Sequence, residues 1–108
     1  MTEQTISPEL HPLAEIDQVI HAPARLMVLT YLFMVESSDY VFLVNLTGLT
    51  WGNLSTHLTK LEEAGYIKIN KEFKGKKPHS TISLTKEGRT AFREYKNKIQ
   101  QVLSDLPD

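Results

Sequence analysis

The run from Leu49 to Ile67 constrains the fold more than any other part of this sequence, because it sets out one helix with both ends marked. Thr50 is an N-cap residue whose hydroxyl can accept a backbone N–H left free in a first turn. Gly65 can take the left-handed conformation that closes a helix without steric cost. Between them Leu54, Leu58, Leu61 and Ala64 recur at helical spacing and form one apolar stripe. The other side carries Gly52, Asn53, Thr56, Thr59 and Lys60, where a solvent face more often carries long charged residues. Short hydrogen-bonding side chains near a helix start suit a surface that must come close to a partner, and a DNA major groove is one such partner.

Beyond Gly65 the period of the pattern changes. Tyr66 to Phe73 begins with the apolar–polar alternation of a half-buried strand. Lys74 to Pro78 supplies turn residues together with positive charge, and Thr81 to Leu84 alternates again. Helix, hairpin with a basic tip, then helix is the element order of a winged helix-turn-helix. The predicted fold class is α+β, mostly α, with a two-stranded wing over 66–84.

Upstream, Ser7 as cap and Pro8 at the first helical position predict a helix to about Ile20, with Leu13, Ile16 and Ile20 as its apolar stripe. Pro23 opens a second helix to about Glu36 that is apolar on most sides, as a central helix should be. Ser38 or Asp39 caps a short third helix over Tyr40–Thr47. Its apolar run would suit a buried strand equally well. The tight turn Thr47-Gly48-Leu49 favours helix and gives a helix-turn-helix over 39–64. Thr85 caps a last helix to about Leu106. A helix of that length overhangs a single domain of 108 residues and leaves an apolar seam uncovered. A homodimer is therefore expected, built on the flanking helices 7–20 and 85–106 through Leu13, Ile16, Ile20, Tyr95, Ile99, Val102, Leu103 and Leu106.

Several classes of function are disfavoured. Cysteine is absent, and His11, His21, His57 and His79 are scattered without a metal-binding helical spacing, so neither a metal nor another cofactor is expected. No apolar run approaches the roughly 20 residues that cross a bilayer, and the N-terminus lacks the features of a signal peptide. A cytoplasmic protein without a membrane partner is expected. No Ser/His/Asp arrangement, carboxylate pair or dinucleotide fingerprint stands out, so no enzyme is expected. The net charge of -1 conceals an uneven distribution: residues 1–48 sum to -5 and residues 49–108 to +4. The hairpin is the most basic segment, with Lys68, Lys71, Lys74, Lys76 and Lys77 against Glu72 alone. Phosphate affinity follows such local density of cations, not the total.

The stretch Arg25–Leu32 resembles the opening of small bacterial and archaeal winged-helix regulators of the MarR and ArsR type. The resemblance strengthens over Gly48–Ile67 and continues through Phe73–Pro78 and Leu84–Arg89, covering most of the chain from Ala22 to about Lys98. It implies a dimeric transcription factor that places one recognition helix per subunit, residues 50–64, in successive major grooves of double-stranded DNA. Wings, here residues 73–80, would touch flanking phosphates or the minor groove. Carried over residue by residue, Trp51, Gly52, Asn53, Ser55, Thr56, His57 and Lys60 fall on the DNA-facing helix, and Lys74, Lys76, Lys77 and His79 on the wing. ArsR-type metal sensors often use cysteine thiolates, of which this chain has none.

Asn53 and Thr56 are the best candidates for reading base edges, since Asn can bond adenine bidentately and Thr offers a hydroxyl and a methyl. Trp51 lies only about 60° from the leucine stripe at 100° per residue, which favours a partly buried cap on the core over a base reader. The alternative to DNA binding is a winged helix that docks on another protein, which would account for the acidic first half. Apolar space near Tyr31, Tyr40, Trp51 and the dimer helices could hold a small effector, but the residues do not specify one.

Overall fold

In the computed structural model, which describes residues 11–108, the chain runs through α1 (His11–Ala14), α2 (Pro23–Met34), β1 (Ser38–Asp39), α3 (Tyr40–Thr47), α4 (Trp51–Glu63), β2 (Ile67–Lys74), β3 (Lys77–Leu84) and α5 (Lys86–Leu103). The expected helix start at Ser7 and Pro8 lies outside the described residues. No described helix is long and apolar enough to cross a membrane.

Three of the caps foreseen in the sequence form. The Asp39 carboxylate accepts from the Phe42 N–H at 2.7 Å, the Thr50 hydroxyl from Asn53 at 3.1 Å and the Thr85 hydroxyl from Gly88 at 2.9 Å. Gly48 and Gly65 take φ of 70° and 81° at the two turns that follow α3 and α4. One apolar cluster then gathers Val28, Leu29 and Leu32 from α2, Leu43 from α3, Leu54, Leu58 and Leu61 from α4, Ile67 and Ile82 from the sheet, and Phe92 and Tyr95 from α5. Ala64, expected on the stripe of α4, is instead its exposed C-cap.

The sheet is antiparallel in the order β1-β3-β2. The short strand β1 was not foreseen; Ser38 and Asp39 pair with Ile82 and Thr81 just before the chain enters α3. The wing strands run further than the sequence suggested, to Lys74 and from Lys77, leaving only Gly75 and Lys76 as the loop. Gly75 has φ 66° and Lys76 does not have positive φ, the arrangement of a type II′ turn, which matches the twist of the flanking strands. Pro78 lies opposite Phe73 in the second pair from the turn, where neither residue bonds across to the other, so its missing N–H costs the ladder nothing.

The first helix ends earlier than expected. It ends at Ala14 because the Asp17 carboxylate accepts from the N–H groups of Val19 at 2.8 Å and Ile20 at 3.3 Å, offering the backbone a turn in place of further helix. The other Asp17 oxygen accepts a short hydrogen bond from the Tyr66 hydroxyl, tying this segment to the base of the wing. Burial and then the Asp17 carboxylate push Tyr66 up to about 12, so it remains a donor. At the other end of the chain, α5 stops at Leu103, short of Leu106.

The expected dimer seam is partly consumed by the subunit itself. Ile16, Ile20 and Tyr95 belong to the core cluster, and Val102 is also buried, so these four are not free to cover a partner. Leu13 and Ile99 are half-buried, while Leu103 and Leu106 remain 52% and 58% exposed.

Candidate nucleic-acid interface

Because Leu54, Leu58 and Leu61 commit one face of α4 to the core, the opposite face is fixed toward solvent. Gly52, Asn53, Ser55, Thr56, Thr59 and Lys60 are all exposed there. Nothing lies within 4 Å of the position a Cβ would occupy at Gly52. Packing therefore does not require glycine at this position, and the bare backbone leaves room for close approach from outside. The Thr56 hydroxyl donates to the Gly52 carbonyl at 3.1 Å, which turns its methyl and its acceptor lone pairs outward.

Trp51 is not the partly buried cap that its helical angle suggested. It is 55% exposed, with its ring stacked on Tyr40 at 4.7 Å and 4° between planes. The Tyr40 hydroxyl donates to the Trp51 carbonyl at 2.9 Å, joining the start of α3 to the start of α4. Tyr31, the third aromatic expected near this space, stacks on Phe42 instead. An open groove of about 350 Å³ runs from Tyr40, Val41 and Trp51 to Pro78, His79 and Ser80 on β3. The beginning of α4 and the wing thus border a common opening. On the wing Lys74, Lys76 and Lys77 are exposed and His79 is half-buried.

His57 is placed differently from its neighbours on α4. It is half-buried, and its Nδ1 lies 2.9 Å from a guanidinium nitrogen of Arg25. An arginine can only donate, so Nδ1 accepts and the proton sits on Nε2. Arg25 is held in turn by the carbonyls of Val19 at 2.5 Å and Gln18 at 3.4 Å. Sequence reasoning missed Arg25 as part of this surface. The available signal was that it is the single Lys or Arg before Lys60.

Burial, then the charges of Arg25 and Lys60, hold the His57 imidazole below its ordinary value of 6.5. On acidification the unfolded chain takes up this proton first. The contribution of neutral His57 is therefore complete above about pH 6.5 and is lost as pH falls toward the lower folded value. Urea midpoints of the wild-type chain should accordingly drop between pH 7.5 and 5.5. His57→Asn, which keeps an acceptor for Arg25 but cannot titrate, should show a smaller drop. Equal drops would mean that this imidazole is not held neutral by the fold.

No cluster of three or more metal-ligating side chains occurs among the described residues.

Comparison with known proteins follows the same lines. A family model described as a winged helix DNA-binding domain matches residues 24–103. An uncharacterized protein of Methanocaldococcus jannaschii is 30% identical over 89 residues, covering 82% of this chain and 97% of its own length. The structure of a transcriptional regulator homologue from Pyrococcus horikoshii OT3 superposes with a TM-score of 0.81 at 22% identity, covering 93% of this chain and all of that one. The transcriptional repressor CouR, solved bound to a 23-mer DNA duplex, superposes with a TM-score of 0.71 at 23% identity; the match covers 90% of this chain and 66% of the repressor.

Proposed function

The chain belongs to the family of winged helix DNA-binding domains, and on that premise we propose that it is a homodimeric, sequence-specific transcriptional regulator with α4 in the major groove and the wing on the flanking backbone. Its fold is that of the MarR-like regulators, and neither the family nor the fold is that of an enzyme. The observation that carries the proposal is the solvent face of α4, small and polar from Gly52 to Thr59, on a helix whose first residue, Trp51, borders one groove with Pro78, His79 and Ser80 of the wing.

Each part of that surface has a distinct task. Lys60, Lys74, Lys76 and Lys77 supply the sequence-independent attraction to phosphate. Asn53 and Thr56 reach base edges, Gly52 lets the backbone approach, and the Nε2–H of His57 is a donor fixed in direction by Arg25. Trp51, Ser55 and His79 rim the contact. The exposed Leu103 and Leu106, flanked by Ile99 and Leu13, are the apolar surface with which a second copy would pair. A two-fold pair places its two α4 helices on half-sites about 34–36 Å apart, so the preferred site is a palindrome.

Selection of bound fragments from a random duplex pool tests the proposal. Wild-type protein should enrich an inverted repeat with half-sites about one helical turn apart. Asn53→Ala should recover the same repeat with the preference relaxed at one base pair per half-site, a loss of about 1–3 kcal/mol in discrimination there. Equal weakening on selected and random DNA would take Asn53 out of base readout. Failure to enrich any repeat would count against sequence-specific regulation.

A further inference from the structure

We propose that Phe73 and Pro78 form an apolar wedge that enters the minor groove and opens a base step, so that this protein bends the DNA it binds. The inference rests on the DNA-binding reading above. Phe73 is 75% exposed, more than any other large hydrophobic side chain among the described residues. A phenyl ring left in water at the end of a hairpin contributes nothing to folding, so the fold does not explain its presence. Pro78 is its direct partner across the ladder, in a pair that brings side chains close on one face of the ribbon.

That face is the inner one. Alternation along β2 places Phe73 in the row of Ile67 and Ile69, and along β3 Pro78 lies in the row of Ser80, Ile82 and Leu84. At the base of the wing this row is core; toward the tip it leaves the core and becomes free. Pro78 also lines the groove shared with Trp51 and Tyr40, so the β3 edge of the pair opens toward the start of α4.

The surroundings choose the occupant. Lys71 shares the face of the pair and Lys74, Lys76 and Lys77 crowd the tip next to it, while the nearest carboxylate along the strands, Glu72, lies on the other face opposite His79. Two copies meeting tip to tip would bring like charges together, which disfavours self-association here and favours a polyanion. The ribbon is also narrow. Its strands stand about 4.8 Å apart and are joined by a two-residue loop whose first member, Gly75, carries no side chain. A minor groove is about 6 Å wide, enough for the ribbon edge but not for a phenyl ring lying beside it. The ring is accommodated by unstacking a step, which kinks duplexes toward the major groove by about 20–90°. At the opened step the major groove faces away from the wing, so the duplex would bend away from the inserted pair. Flexible pyrimidine–purine steps would be preferred at the wedge although no side chain reads them.

The test uses duplexes labelled at both ends, with energy transfer reporting bend and titration at several salt concentrations reporting affinity. The wild-type complex should show a shorter end-to-end distance than free DNA. Phe73→Ala should bind with the same salt slope, since every lysine remains, but return the distance to that of the unbent duplex. Phe73→Leu should retain part of the bend. A Phe73→Ala complex as bent as wild type, or a straight wild-type complex, overturns the wedge and leaves DNA binding standing. No complex with wild-type protein even at low salt overturns both.

Discussion

Replacing Gly88 by alanine should destabilise the fold by about 1–3 kcal/mol, the usual cost of forcing atoms into a packed contact. A Cβ at this position would lie 2.1 Å from the Tyr66 carbonyl oxygen and under 3 Å from the Tyr66 carbonyl carbon and Cα. These are backbone atoms, so no rotamer change relieves the overlap. The same carbonyl accepts the Thr85 N–H at 2.9 Å, and the Thr85 hydroxyl donates to Gly65 at 2.6 Å while capping Gly88. The first turn of α5 is therefore seated directly on the turn that ends α4. A methyl group must lift α5 off that seat, breaking the bond between residues 66 and 85. Gly52→Ala is the control, because open space surrounds Gly52 and alanine is the better helix former by up to about 1 kcal/mol. Chemical denaturation of both variants should separate them in opposite directions. A Gly88→Ala chain no less stable than Gly52→Ala would refute the close contact.

The second large effect concerns binding. Removing three lysines together, as Lys74→Ala, Lys76→Ala and Lys77→Ala, should lower the magnitude of the log–log salt slope by up to about three units, one for each lost phosphate contact. Affinity at moderate salt should fall by more than about tenfold on every sequence alike, because phosphate contacts carry no sequence information. All three side chains are exposed at the tip of the wing, so stability should hardly change. An unaltered slope would exclude the tip from the contact surface and return the wing to a merely solvated hairpin.

What the sequence made legible was local. Thr50, Gly65 and Thr85 mark ends that depend on a few neighbouring backbone groups, and the leucine stripe of α4 states its own period. The ambiguous run Tyr40–Thr47 is helical because Asp39 caps it and Gly48 closes it, both within one turn. The return strand of the wing was drawn too short, from Thr81 where it begins at Lys77. Alternation signals burial on one face, and beyond Ile69 the strands have no core to face, so their outer halves carry no such signal. Leu13, Ile16 and Ile20 fitted a continuous helix until Asp17 intervened through its own side chain.

Long-range pairings were the least visible. Arg25 and His57 meet across 32 positions, and Asp17 and Tyr66 across 49. Nothing local announces either. For the same reason the apolar seam of α5 was overassigned to a partner. Periodicity states that Tyr95 and Val102 want covering; it does not state whose residues do so, and in this subunit they are covered within the chain.

The two-residue loop between Lys74 and Lys77 makes the reach of the wing a quantised property. Each added residue pair would carry the tip about 3.4 Å farther but rotate every side chain beyond it onto the reverse side of the ribbon. Only insertions or deletions by even numbers of pairs preserve which residues look toward α4. Relatives that keep this hairpin geometry can therefore vary their span on a duplex only in jumps of about 7 Å, roughly two base-pair rises.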